Sequence, residues 1–218
     1  VYTSVGTTSN LTYNYAGLNK GDNYQFYVQA AENHGTGPFT SSSNVIDVSG
    51  NFLVDPNYLY EYTATVIDSN HIQVYFYADT AADISEYIVK RALANNHVYT
   101  TVATITDFDG MNPLVPYDDY NVEANQFSYY YQIYSVNTCG DLQLISNEGR
   151  TIKLTVENNN VKAINTLTWN WYEGWLGGVS KYEIYRSESG NFNYELVTSI
   201  SPTGNEIMIF EDDVSSLT

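Results

Sequence analysis

One block of this chain returns at a fixed distance. Ile84-Ser85-Glu86-Tyr87-Ile88-Val89-Lys90-Arg91 recurs as Val179-Ser180-Lys181-Tyr182-Glu183-Ile184-Tyr185-Arg186. Both copies run on in register to Val102-Ala103-Thr104-Ile105 and Val197-Thr198-Ser199-Ile200, at an offset of 95 residues without a gap. That period is too long for a solenoid unit and suits a whole small β-sandwich. The chain therefore reads as a string of like domains.

Strand patterns fill the repeats. Ile72, Val74 and Phe76 alternate with Gln73 and Tyr75, and the same phase carries Leu167, Trp169 and Trp171. Tyr24, Phe26, Val28 and Ala30 form one face with a period of two, matched 105 residues on by Tyr129, Tyr131, Ile133 and Ser135. Such alternation marks strands with one face on a core. Turn clusters separate them, among them Asn19-Lys20-Gly21-Asp22, Asp68-Ser69-Asn70 and Ser189-Gly190-Asn191. Val1-Tyr2-Thr3-Ser4-Val5 matches Val98-Tyr99-Thr100-Thr101-Val102 and is expected to be a strand. Loop insertions between fixed strands account for the drift in offset. The fold class expected is all-β, with tandem immunoglobulin-like sandwiches.

Superposing the units gives an organisation. Residues 1–52 form the C-terminal half of one domain, 53–157 a complete domain, and 158–218 the N-terminal part of a third. A half sandwich exposes its core face and unpaired edges, so the missing halves are expected beyond the residues given. The polar junctions, Ser49-Gly50-Asn51 and Glu157-Asn158-Asn159-Asn160, are short enough to hold neighbouring domains close.

Charge and composition exclude several functions. A net charge of −17 with only eight Lys and Arg repels phosphate backbones, so nucleic acid is not an expected partner. The 22 Tyr residues suit pleated, half-buried surfaces. No apolar run reaches membrane-spanning length. With one cysteine, Cys139, the chain is no disulfide scaffold, and a partly buried free thiol is expected. The three histidines, His34, His71 and His97, are scattered, and no nucleophile elbow or zinc-binding His-Glu-x-x-His occurs. No catalytic residues are assigned, and the chain is not expected to be an enzyme or to need a cofactor.

The residues also resemble a known family. Leu18-x5-Tyr24-x-Phe26-x-Val28-x-Ala30, followed by Asn33-His34-Gly35, is similar to the E–F corner and F strand of a fibronectin type III domain. The resemblance implies a structural role for Tyr24 and Tyr129, whose hydroxyls would cap nearby backbone, and for Trp169 as the B-strand core Trp. Val74 departs from that pattern. A narrower resemblance lies in Asn165-Thr166-Leu167-Thr168-Trp169-Asn170, Glu173-Gly174-Trp175 and Tyr182-Glu183-Ile184-Tyr185-Arg186-Ser187. Cys139-Gly140 with Ser146-Asn147 adds to it. These resemble the modules before the C-terminal sorting domain of gliding-motility-associated, type IX-secreted bacterial surface proteins. The sorting domain itself is absent from these residues.

What this implies is a non-catalytic structural or adhesive stalk, extracellular and at a bacterial cell surface. Its expected partners are neighbouring domains of the same long chain, secretion or outer-membrane anchoring machinery, and surface glycans. Two alternatives stay open: spacer modules of a secreted hydrolase, and a carbohydrate-binding module. For the latter, Trp175 in the B–C loop is the candidate ligand contact, against a reading as a loop lid. Asp118, Asp119, Asp212 and Asp213, a repeated acidic pair, are candidate calcium ligands, against a reading as solvated turns. The EF-hand spacing fails around Asp107-Phe108-Asp109-Gly110, where Ile105 and Pro116 fall at ligand positions. Thr80, in Asp79-Thr80-Ala81, fits the short O-glycosylation pattern of the group that the chain resembles.

Overall fold

The structure, a computed structural model, describes residues 2–32, 39–187 and 193–215. Val1, Asn33-His34-Gly35 and the turn Ser189-Gly190-Asn191 lie outside them. The described residues are all-β, with no α-helix. The chain divides into two compact units, Val1–Leu53 and Val54–Thr218.

The described residues of the first unit contain four short strands: β1 (Asn23–Phe26), β2 (Gln29–Ala31), β3 (Thr40–Ser42) and β4 (Ile46–Ser49). β1 pairs with β4 and β2 with β3, so the unit is one antiparallel hairpin broken in the middle. The break has a chemical cause. The Ser43 hydroxyl accepts from the Val28 amide at 2.9 Å and donates to the Asn44 carbonyl at 2.7 Å, replacing a rung of the ladder. The expected strand at residues 1–5 does not form, and residues 2–22 hold none. Its counterpart at residues 98–102 leads into a strand that pairs with a C strand, and this unit describes no C strand to pair with.

The second unit begins with a complete sandwich. Its strands are β5 (Leu59–Asp68), β6 (His71–Ala78), β7 (Ile84–Leu93), β8 (Thr100–Ile105), β9 (Leu114–Asp119), β10 (Tyr129–Asn137), β11 (Leu142–Ile145) and β12 (Gly149–Arg150). One sheet runs β5-β6-β9 and the other β11-β10-β7-β8, with β12 also on β10. This is the A-B-E and G-F-C-C′ arrangement of a fibronectin type III-like sandwich. Strand β6 shows why the sequence folds so: every second residue is buried, and Ile72, Val74 and Phe76 are sealed against Tyr131, Ile133 and Val89. Burying side chains of this size stabilises by about 1.5–3 kcal/mol each. The serine device recurs here, with Ser146 between the Ile133 amide and the Asn147 carbonyl.

The rest of the unit repeats the first five strands: β13 (Leu154–Asn159), β14 (Ile164–Asn170), β15 (Tyr182–Arg186), β16 (Glu195–Ile200) and β17 (Ile207–Asp213). They form the sheets β13-β14-β17 and β15-β16. Trp169 is buried and meets Tyr182 edge-on at 5.6 Å, with Met208 opposite it in register. Val74 on β6 and Trp169 on β14 thus hold equivalent core positions. On β13, Leu154 and Val156 pair with Trp169 and Leu167 and so share their face, yet both stay more than half exposed. No F–G hairpin covers them among the described residues. β13 begins at Leu154, four residues before the expected start of this domain at 158, because its ladder to β14 opens at Leu154–Trp169.

Candidate functional site: the domain junction

The two tyrosines singled out by resemblance cap backbone. The Tyr24 hydroxyl accepts from the Asn19 amide at 2.7 Å, and the Tyr129 hydroxyl from the Glu123 amide at 3.0 Å. The acidic pairs behave differently from a shared cation site. Asp119 accepts from Arg91 at 2.7 Å and from the Tyr131 hydroxyl at 2.9 Å. Asp212 accepts from Arg186 at 2.8 Å. Arg91 and Arg186 are themselves repeat equivalents, so the recurring feature is an Arg–Asp tie between strands C and E. Asp118 receives His71 and Gln73, and Asp213 caps the Ser215 amide. Among the described residues no cluster of three or more His, Cys, Asp or Glu could hold a metal ion.

Thr80 stands exposed in the B–C turn of the complete sandwich. The preceding Asp79 is occupied: the Asn57 amide, the Ala81 amide and the Asn57 side chain hold its carboxyl below its ordinary range. Cys139 is a free, exposed thiol rather than a partly buried one, because its loop lies outside the sheets between β10 and β11.

Trp175 leads to a site that the sequence did not single out. Its indole N–H donates to the Tyr62 carbonyl on β5 at 2.8 Å, and its ring packs on Tyr172 at 4.5 Å. The residue is 45% exposed, so the indole keeps a large part of its surface in solvent. The B–C loop, residues 171–178, meets strand A of the preceding sandwich through Tyr172, Gly174, Trp175 and Leu176. The Tyr60 hydroxyl donates to the Gly174 carbonyl at 2.8 Å and accepts from the Leu176 amide at 3.1 Å. The Tyr172 hydroxyl receives the Ala64 amide at 3.3 Å. Asn147 ties three strands of chain together. Its Oδ1 accepts from the Glu61 amide, and its Nδ2 donates to the carbonyls of Glu61 and Gly174.

A charged knot sits beside these contacts. Glu173 Oε1 accepts from Arg150 at 2.9 Å, the Tyr130 hydroxyl at 2.8 Å and the Trp171 indole at 2.7 Å. Burial works to raise the Glu173 pKa, but the hydrogen bonds from Arg150, Tyr130 and Trp171 outweigh it and hold it below its ordinary value. The Arg150 amide also bridges to the Glu173 carbonyl. His97 stacks on Tyr130 at 4.4 Å and reaches Glu148 at 3.2 Å. Between Thr151 and β13 only Ile152 and Lys153 intervene, and the Asn170 side chain pins both ends through the Thr151 carbonyl and the Lys153 amide.

Hydrogen bonds from Tyr60, Tyr172, Trp175 and Asn147 to backbone cross between the two sandwiches, and the Arg150 charge is met by Glu173. Sequence reasoning placed Trp175 in the B–C loop but did not see its partners, and it gave Glu173 no role. The available signal was Glu61 in the apolar run Leu59-Tyr60-Glu61-Tyr62, an acid where a strand should be half buried.

No protein-family model and no curated protein matches the chain. Among solved structures, an Fn3-like protein from Clostridium thermocellum matches with 27% identity and a TM-score of 0.33, covering 49% of this chain and 98% of that one. A beta-1,2-glucanase from Parabacteroides distasonis matches with 18% identity and a TM-score of 0.33, covering 51% of this chain and 15% of that one.

Proposed function

We propose that this chain is a non-catalytic segment of a large secreted cell-surface protein, in which fibronectin type III-like domains are locked end to end into a stiff stalk. The observation that carries this reading is the junction. A two-residue connection and a loop hydrogen-bonded along the neighbouring strand suit load-bearing and positioning, where a flexible tether would be expected between independently acting domains. The motif order over residues 57–218 supports export by the type IX system and a part in gliding or attachment. The acidic surface supports a role that keeps neighbouring copies apart.

The test is antibody raised against the purified chain and applied to intact cells of the source organism. Labelling that disappears after mild surface proteolysis is expected. Labelling seen only after lysis overturns the reading. A second reading rests on the half-exposed indole of Trp175, whose solvent-facing area could take a sugar ring. Glycan binding abolished by Trp175→Ala, with the fold retained, would favour it. A spacer within a secreted hydrolase fits the same junction, and a catalytic domain in the same polypeptide would favour that.

A further inference from the structure

Glu61 is fully enclosed, at 0% exposure, and neither carboxyl oxygen has a hydrogen-bond partner. It is opposite Phe76 in register, on the core side of β5, just before the ladder slips between Glu61 and Thr63. Its carboxyl is held between the two sandwiches. Against it lies Gly149, where an added Cβ would overlap Oε2 outright. Beside Gly149 comes Gly174 of the next domain, where an added Cβ would stand 3.0 Å from the same oxygen and 3.2 Å from the Gly149 Cα. A carboxylate in this place gives up its water and gains no donor in return.

The charged and titratable groups around it do not compensate. Arg150, on β12, is committed to Glu173 and Ser128. Glu148 lies beside Gly149 and faces His97, Glu173 and Tyr172 come from the B–C loop, and Tyr60 and Tyr62 flank it on β5. Burial alone pushes the Glu61 pKa from about 4.5 up to about 8.

We propose that Glu61 is a proton-operated latch: the two sandwiches dock fully only while Glu61 carries a proton, and its ionisation releases the 171–178 loop from β5. The sign follows from the two states. Docked, Glu61 keeps its proton until about pH 8; released, it meets water and titrates near 4.5. Below about 4.5 both states are protonated and docking is at full strength. Between about 4.5 and about 8 docking weakens about tenfold per pH unit, and above that it levels off. The latch is a property of the junction and stands whether or not the chain serves as a stalk.

Hydrogen exchange on the whole 218-residue chain tests it. The amides of Arg150 and Leu176 donate across the junction, to the Glu173 carbonyl and the Tyr60 hydroxyl. After correction for intrinsic chemistry, their protection should fall about tenfold per pH unit from pH 5 to 8 in the wild type. In Glu61→Gln it should lose that dependence. His97 also faces the junction, so both proteins are compared in a His97→Gln background. Parallel profiles with and without Glu61 overturn the proposal. Should the Gln variant fail to fold, the carboxyl carbon resonance of Glu61 in the wild type decides. A titration midpoint above 7 sustains the latch, and one near 4.5 overturns it.

Discussion

At position 174 the backbone takes a φ of 137°, a region that side chains other than glycine rarely adopt, and a Cβ there would come to 3.0 Å from the Glu61 carboxyl. Gly174→Ala should therefore destabilise by about 1–3 kcal/mol, read as a lowered denaturant midpoint with an unchanged slope. Gly149→Ala should cost more, because its Cβ would overlap the carboxyl itself and β12 is tied into β10. A second residue-scale expectation concerns Tyr129. Removing its hydroxyl in Tyr129→Phe leaves the Glu123 amide unpartnered and should cost about 1 kcal/mol by thermal unfolding. The tyrosines were legible in the sequence because Tyr24 stands six residues after Leu18 in the corner motif that the chain resembles, and Tyr129 matches Tyr24 at the repeat offset of 105. Glu61 was not. Its inward placement depends on a slip of the ladder, and a pattern with a period of two cannot register an inserted residue.

Among the elements, the B–C loop of the last domain differs most from what alternation alone conveys. The sequence marks residues 171–178 as a loop, since the apolar rhythm stops after Trp171. What that loop touches is settled by residues more than a hundred positions away, Tyr60 and Tyr62, and no local pattern encodes them. Glu173 gathers three donors there. Glu173→Ala strands Arg150, Tyr130 and Trp171 together and should destabilise the docked loop by roughly 2–3 kcal/mol. The check is accelerated exchange of the Arg150 amide while the β6 amides stay protected. The Arg–Asp ties follow a similar logic. The acidic repeat is visible in the sequence, which favours a solvated turn over a calcium site and gives no sign of the arginines, two strands earlier in the chain, that meet Asp119 and Asp212. Asp119, on a side chain only 3% exposed, leaves Arg91 and Tyr131 uncompensated when removed. Asp119→Ala should cost about 3–5 kcal/mol by chemical denaturation.

For the complete sandwich and its neighbour taken together, two carboxyl groups pull in opposite directions with pH. Glu173, with its pKa lowered, contributes stability that is present above its ordinary value and lost as pH falls through the lower one. Glu61, with its pKa raised to about 8, contributes stability that is full below about 4.5 and lost as pH rises to about 8. The melting temperature of the chain should thus pass through a maximum in mildly acidic solution. Glu61→Gln should broaden that maximum on its alkaline side and leave the acid side in place. At this scale the fold was largely legible: the repeat and the alternating faces point to a small sandwich, and the resemblance to fibronectin type III domains supplies the identities of its strands. The domain edges were less so, because Asn-rich turns suggested a boundary where the hydrogen-bond ladder had already begun.

Only Ile152 and Lys153 separate one sandwich from the strand that opens the next, and Asn170 fastens both ends of that step. The step thereby fixes the rotational phase of one module against its successor, much as the pitch of a screw fixes where each thread falls. Inserting a single residue there would misalign Asn170 with its partners and turn the next module against the one before it. An array assembled this way can change length only by whole modules.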